Sequence, residues 1–232
     1  MAISYNPRIV TDGLVLALDA GNTKSYPGSG TTWTDLSGNG NNGTLINMDG
    51  PNLDSANGGS FTFDGINEYI SISNLGLSDH TIEGWINSSD GSQGGADGNT
   101  IISIIGTYSA VGTAKYTYIG VLGNNVLTFR MDDGNISHRV IADVTYTDNQ
   151  WYHTAITYNS NGTTIAYLNG EQLQSRSYTP NVVFNNTPFN VSRAENGKYF
   201  NGLVPIVRSY NRALTASEIQ QNFNATRSRF GI

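Results

Sequence analysis

Apolar and polar positions alternate along most of this chain in short runs, and clusters of Gly, Asn, Ser and Asp separate the runs. A period of two marks strands with one buried face. Residues 14–18 are apolar throughout, as expected of a strand buried on both sides. Residues 61–63, 69–73, 81–86 and 101–105 follow, the second of them in strict alternation. Residues 87–99, rich in Gly, Ser and Asp, read as an exposed loop. Further on, residues 116–122 turn at Gly123-Asn124-Asn125 into 126–131, and Asp133-Gly134 leads into 136–142. Residues 151–158 and 163–168 flank Asn161-Gly162, and Asn169-Gly170 leads into 172–178. Asn-Gly supplies the positive φ angles of a type I′ hairpin, so both pairs predict tight turns and three strands in succession. Residues 189–192 and 203–210 complete the set.

One segment breaks the pattern. Over 215–223, Thr215 and Glu218 have capping-box spacing, and Leu214 and Ile219 have that of a hydrophobic staple. Ile219 and Phe223 share a face, which predicts a short helix docked on the edge of the strands. Residues 224–232 then read as a tail carrying Arg227, Arg229, Phe230 and Ile232.

Composition adds exclusions. Charged residues make up 13% of the 232, glycine numbers 27, and net charge is −6, so a phosphate backbone has no basic face to meet. Cysteine is absent, which removes disulfides and thiol chemistry. No apolar run is long enough to span a membrane, and residues 1–8 lack the apolar core of a signal peptide. Residues 1–150 hold 15 Asp/Glu against 5 Lys/Arg, whereas 151–232 hold 3 against 7. Either the two populations mix on the folded surface, or they form complementary faces that meet between subunits.

Motifs carry a resemblance. Trp33-Thr34-Asp35-Leu36-Ser37-Gly38-Asn39-Gly40-Asn41-Asn42-Gly43-Thr44 near one end and Ile206-Val207-Arg208-Ser209-Tyr210-Asn211-Arg212-Ala213-Leu214-Thr215-Ala216-Ser217-Glu218-Ile219 near the other resemble the opening and closing signatures of laminin-G-like domains. Phe63-Asp64-Gly65, Thr81-Ile82-Glu83-Gly84-Trp85-Ile86 and Trp151-Tyr152-His153 fit between them. The resemblance implies an all-β, concanavalin-A-like (laminin-G-like) antiparallel jelly-roll sandwich with one short C-terminal helix. It implies an arm over 1–12, a sandwich domain over 13–223 and a tail over 224–232.

Candidate chemistry is sparse. Glycanases on such sandwiches use Glu-x-Asp-x-Glu or a close variant, which sets paired carboxylates on one strand face. The five Glu (68, 83, 171, 195, 218) show no such spacing, so no enzymatic activity is expected. His80, His138 and His153 form no metal-ligand pair. The resemblance implies calcium on a rim, with Asp19, Asp35, Asn39 and Asn41 as oxygen ligands. Pro205 stands where related sequences place a carboxylate, which favours a purely structural turn. Sugar binding needs aromatic platforms beside polar loops, and Trp33, Tyr116 and Tyr118 are the candidates.

The motifs together with Arg227-Ser228-Arg229-Phe230-Gly231 resemble laminin-G-like virion proteins of tailed phages, notably those of cyanobacterial hosts. That resemblance implies a non-catalytic structural or decoration protein localised to the virion, homo-oligomeric, with capsid or tail proteins as partners. A glycan-binding adhesin or receptor-binding protein that meets host surface glycans is the second expectation, and a glycan-cleaving enzyme the third. Neither nucleic acid nor membrane is an expected partner. Attachment is expected through Ile3 and Tyr5 of the arm and Arg227, Arg229, Phe230 and Ile232 of the tail. On that view, removing 224–232 leaves the sandwich folded.

Overall fold

The computed structural model describes residues 7–48, 52–91, 101–107, 115–133, 139–177, 188–194 and 197–232. Its strands are β1 (Leu14–Asp19), β2 (Thr32–Trp33), β3 (Gly43–Ile46), β4 (Leu53–Asp54), β5 (Ser60–Asp64), β6 (Tyr69–Ile72), β7 (His80–Ser88), β8 (Ile102–Thr107) and β9 (Lys115–Leu122). There follow β10 (Val126–Asp133), β11 (Arg139–Thr145), β12 (Trp151–Tyr158), β13 (Thr163–Leu168), β14 (Glu171–Ser177), β15 (Phe189–Val191), β16 (Arg193–Ala194), β17 (Lys198–Tyr199) and β18 (Asn201–Tyr210). The helix α1 spans Ala216–Thr226 and runs into a 3₁₀ turn over Arg227–Phe230.

Two sheets face each other. The first is ordered β14-β13-β12-β7-β18-β5-β4, with β1 also paired to β18, and the second β11-β10-β9-β8-β15-β6-β3-β2. The small ribbon β16-β17 stands apart. Pairings among the described residues are antiparallel, and β7 lies between β12 and β18, so distant parts of the chain interleave as in a jelly roll. The expected all-β sandwich with one C-terminal helix is therefore the observed one. Between the sheets lies the main core, where alternate residues of each strand meet: Ile82 and Ile86 from β7, Phe61 and Phe63 from β5, Ile119 and Val121 from β9, Leu127, Phe129 and Met131 from β10.

Turn chemistry follows the sequence with one exception. Asn169 (φ 51°) and Gly170 (φ 82°) form the expected two-residue link between Leu168 and Glu171. At Asn161-Gly162 only the glycine has positive φ. There Asn159 N–H donates to Thr163 O (3.0 Å) and Gly162 N–H to Asn159 O (2.8 Å), giving a three-residue loop with its left-handed glycine last. The segment 33–44, read as a turn, is a turn between two short paired strands, β2 and β3.

The outer face of the first sheet is covered too, which explains why every residue of β7 is buried. The capping box forms: Thr215 Oγ1 accepts from Glu218 N–H (3.3 Å) and Glu218 accepts from Thr215 N–H (2.8 Å). Arg212 grips the same carboxylate with both terminal nitrogens (3.0 and 2.7 Å), and this holds Glu218 down at about 2. Leu214 and Ile219 pack together as the staple. The helix was expected at an edge; instead it lies across the sheet face, because Leu214, Ile219, Asn222 and Phe223 meet Thr81, Glu83, Trp85, His153 and Tyr210.

The tail belongs to this layer. Phe230 is 6% exposed, stacks on Trp85 (centroids 4.2 Å, 29° between planes) and lies 4.8 Å from Trp151. Arg229 pairs with Asp19 (2.6 Å) and donates to the carbonyls of Asn57 and Gly59. These two residues are thus spent on the chain's own fold rather than held out for a partner. Arg227 and Ile232 are exposed, and Ile3 and Tyr5 lie outside the described residues.

Candidate functional site

The outward face of the second sheet carries the polar residues that the core does not need. In β6, β15, β9 and β10, the residues between the inward Ile70, Ile72, Phe189, Val191, Ile119, Val121, Leu127, Phe129 and Met131 must point outward. Register then assembles rows across the strands. One row runs Ser71, Asn190, Gly106, Tyr118, Arg130. A second runs Ser103, Gly120, Thr128, Asp143, and Tyr116 stands opposite Asp132. Gly106 (φ +136°) keeps the floor of the first row flat, since a Cβ there would lie 2.4 Å from Thr117 O.

Within this face Arg130 is fixed by its neighbours. Its Nε donates to Thr128 Oγ1 (2.5 Å), Thr128 donates to Asp143 Oδ1 (2.5 Å), and Arg130 Nη2 lies 3.3 Å from the same carboxylate. Two other groups are left over. Ser103 Oγ and Asn190 Oδ1 are buried without a hydrogen-bond partner, in residues that are 0% and 8% exposed. Buried polar atoms are nearly always paired, so two orphans on one face mark a place where something else supplies the partner.

Tyr116 and Tyr118, the expected sugar platforms, are brought together here with centroids 5.6 Å apart. Both are buried, at 3% and 0% exposure, so they form part of the face without presenting an open ring. Trp33 is not part of it. Its indole is fully buried between the sheets, edge-on to Phe61 at 4.8 Å, because β2 turns it inward; a core indole offers no surface to a sugar.

The four expected calcium ligands do not form one site. Asp35 spends its carboxylate on four protein donors: Ala17 N–H and Ser37 N–H at Oδ1 (2.9 Å each), Ser37 Oγ–H (2.7 Å) and Asn41 N–H (3.0 Å) at Oδ2. Asn39 and Asn41 donate to the carbonyls of Leu14 and Val15, stitching the turn to β1. Asp19 is taken by Arg229 and by Gly21 N–H. A carboxylate saturated by donors has no lone pair to give a hard cation, so the donor set does not fit calcium and fits a structural turn. Among the described residues, no three His, Cys, Asp or Glu side chains stand together as metal ligands.

A second polar constellation lies under α1. Glu83, fully buried on β7, accepts from Arg208 (3.0 Å) and from Asn222 of the helix (3.1 Å to each oxygen). Asn222 also donates to Tyr210 Oη (2.9 Å) and accepts from Val10 N–H (2.7 Å). His153 Nε2 is 3.7 Å from Glu83, too far for a hydrogen bond, and neither ring nitrogen has a partner. Burial lowers the His153 pKa to about 4, against the pull of Glu83. Burial likewise pushes the Tyr210 phenol up, with Glu83 adding to it. Sealed by the helix and the tail, this glutamate–histidine pair has no route to a substrate. Its role is to fix α1 on the sheet, since a half-dismantled buried ion pair is costly.

Among the described residues, the outward face places Asp132 and Asp143 apart rather than as a pair. Asp132 sits four residues along β10 from Thr128, the partner of Asp143. At about 3.3 Å per residue their backbone positions are roughly 13 Å apart along the strands, and Asp143 is engaged by Thr128 and Arg130.

A laminin-G-like family model, described as the concanavalin A-like lectin/glucanases superfamily, matches residues 63–220. The chain belongs to this superfamily. Concanavalin A-like structures at low identity share its fold. Domain 4 of AbnA, a GH43 extracellular arabinanase from Geobacillus stearothermophilus solved in complex with arabinotriose, has a TM-score of 0.68 at 20% identity, over 90% of this chain and 97% of that one. The botulinum neurotoxin serotype D binding domain gives 0.69 at 16%, over 92% and 52%. Trypanosoma rangeli sialidase gives 0.66 at 15%, over 97% and 36%. This concanavalin A-like chain thus spans nearly all of the arabinanase domain, about half of the toxin binding domain and about a third of the sialidase. No curated protein matches it.

Proposed function

We propose that this chain is a non-catalytic carbohydrate-binding domain that receives its ligand on the outward face of the second sheet. The observation that carries the reading is the polar row that register assembles across that face, Ser71, Asn190, Tyr118 and Arg130, none of which the core between the sheets needs; Ser71 is its half-buried, accessible member, and Ser103 Oγ and Asn190 Oδ1 lie unsatisfied beneath it. A sugar is dense in hydroxyls, each both donor and acceptor, and answers such groups directly. The arabinanase domain of the same fold, solved with arabinotriose, supports the ligand class. The non-catalytic part is supported by the separate placing of Asp132 and Asp143 along the face and by the burial of Glu83 and His153. Display on a phage virion is the finer part of the proposal and rests on the sequence resemblance. Because Arg229 and Phe230 are used within the fold, attachment would draw on other surfaces.

Ser71→Ala separates this reading from a structural one. Removing a half-buried outward hydroxyl is close to neutral for the fold. Loss of a ligand hydrogen bond should weaken oligosaccharide binding by about three- to tenfold. Titration calorimetry over a panel of plant and bacterial oligosaccharides, run beside thermal melts, checks both arms. A melting point that drops while affinity holds would assign Ser71 to the fold instead. Release of new reducing ends from the same panel would overturn the non-catalytic part.

A further inference from the structure

At one end of the same face, the ribbon β16-β17 sets a cation against two tyrosines. Tyr69 and Ser71 are the outward residues of β6, since Ile70 and Ile72 point into the core. Arg193 stands opposite Tyr199 in the ribbon, and Tyr199 lies 6.1 Å from Tyr69, the rings tilted by 36°. The Arg193 guanidinium carbon is 4.6 Å from the centre of the Tyr69 ring. Stacking of this kind fixes the guanidinium plane and leaves its N–H edges free. Arg130, Arg208, Arg212 and Arg229 all pair with carboxylates, whereas Arg193 is exposed and bonded to no described group. Lys198, next to Tyr199 and also exposed, adds positive potential from the other side of the ribbon. In a chain of net charge −6, Arg193 and Lys198 bring two cations together that no described carboxylate pairs with.

Asn190 ties the patch to the rest of the face. It pairs with Ser71, which lies two residues from Tyr69 on the same side of β6, about 7 Å at about 3.3 Å per residue. The orphaned Asn190 Oδ1 therefore sits one diagonal step from the tyrosines.

We infer that Arg193, Tyr69 and Tyr199 form a subsite for an acidic sugar residue, its carboxylate on the Arg193 fork and its ring against the tyrosines. The neighbouring residue of the glycan then reaches Asn190 and Ser71. A planar carboxylate takes two parallel N–H bonds from arginine, a geometry open to an exposed guanidinium held over a tyrosine ring. This inference rests on the carbohydrate-binding reading and adds the class of ligand to it.

Two matched probe pairs test it: oligogalacturonate against its methyl ester, and sialyllactose against lactose, by calorimetry at low salt. At least one acid should bind about tenfold more tightly than its neutral counterpart, the scale of one charge-assisted contact. That preference should shrink in ~0.5 M salt as the charges are screened. Arg193→Gln should abolish the preference, while Arg227→Gln, exposed in the 3₁₀ turn on the layer that covers the first sheet, should keep it. Equal binding of acid and neutral partners, or a preference that survives Arg193→Gln, overturns the subsite and leaves carbohydrate binding standing. No binding of any sugar, acidic or neutral, overturns both.

Discussion

Replacing Phe230 by Ala should lower the free energy of unfolding by about 3–5 kcal/mol, the usual cost of truncating a buried aromatic. Phe230 is 6% exposed and fills the layer made by Trp85, Ile206 and Phe223, with Trp151 alongside. Removing the ring leaves two tryptophans facing a void that the 3₁₀ turn cannot close, because Arg229 holds the backbone to Asp19, Asn57 and Gly59. Deleting 224–232 should cost more. It also removes Thr226, whose Oγ1 accepts from Trp85 Nε1 at 2.9 Å, and the Arg229 contacts. Domains of this kind hold only about 5–15 kcal/mol in all, so the truncated chain should be largely unfolded or molten. Denaturant unfolding followed by tryptophan fluorescence checks this. A truncated chain with an unchanged midpoint would show that the tail is an appendage, as its sequence alone suggests.

That contrast shows where the sequence was readable. Local chemistry came through: the alternation of β6, the Asn169-Gly170 turn and the Thr215–Glu218 box each depend on a few neighbouring residues. The tail was misread because nothing local orders it. Its partners, Trp85, Asp19 and Gly59, lie more than a hundred residues away, and a lone Phe in a basic segment looks like a hook for another molecule. Trp33 was misplaced for a related reason. A Trp beside Asn and Gly looks exposed, yet β2 and β3 flank the turn and carry the indole under Phe61.

The candidate site was legible only in part. Tyr116 and Tyr118 could be named, since an i, i+2 pair on a strand shares a face. Which other residues join them depends on the strand order β6-β15-β8-β9-β10, which interleaves residues 69–72 with 189–191 and 102–133. No pattern in the sequence gives that order. The Glu83 cluster did leave a trace. Glu83 and Arg208 are single opposite charges inside two apolar strand runs, and Asn222 interrupts the apolar face of Ile219 and Phe223. Charges in such places are bearable only if they find each other.

The same buried groups make the fold sensitive to acid. His153 and His80 are both fully buried, and desolvation lowers each from 6.5 to about 4. Glu83 pulls His153 upward and Arg208 pushes it down, while Ser78 O and Asp79 favour protonated His80, but burial outweighs these in both cases. The native state therefore binds fewer protons than the unfolded chain between those values, so stability is present in full above pH 6.5 and is lost as pH falls towards 4. At about 1.4 kcal/mol per unit, each histidine accounts for about 3 kcal/mol across that window. Below it the histidine contribution levels off, while the Glu218 cap, whose carboxyl is held at about 2 against 4.5, gives up its contribution between about 4.5 and 2. Unfolding free energies should thus be flat near neutrality and drop steeply through pH 6.5 to 4, with the Glu218 cap adding its share only from about 4.5 downward. His153→Leu should roughly halve the drop and cost little at pH 7, since neither ring nitrogen bonds to anything. A wild-type profile flat from pH 7 to 4, or an unchanged slope in His153→Leu, would mean that the imidazole under α1 takes its proton without opening the layer that buries it.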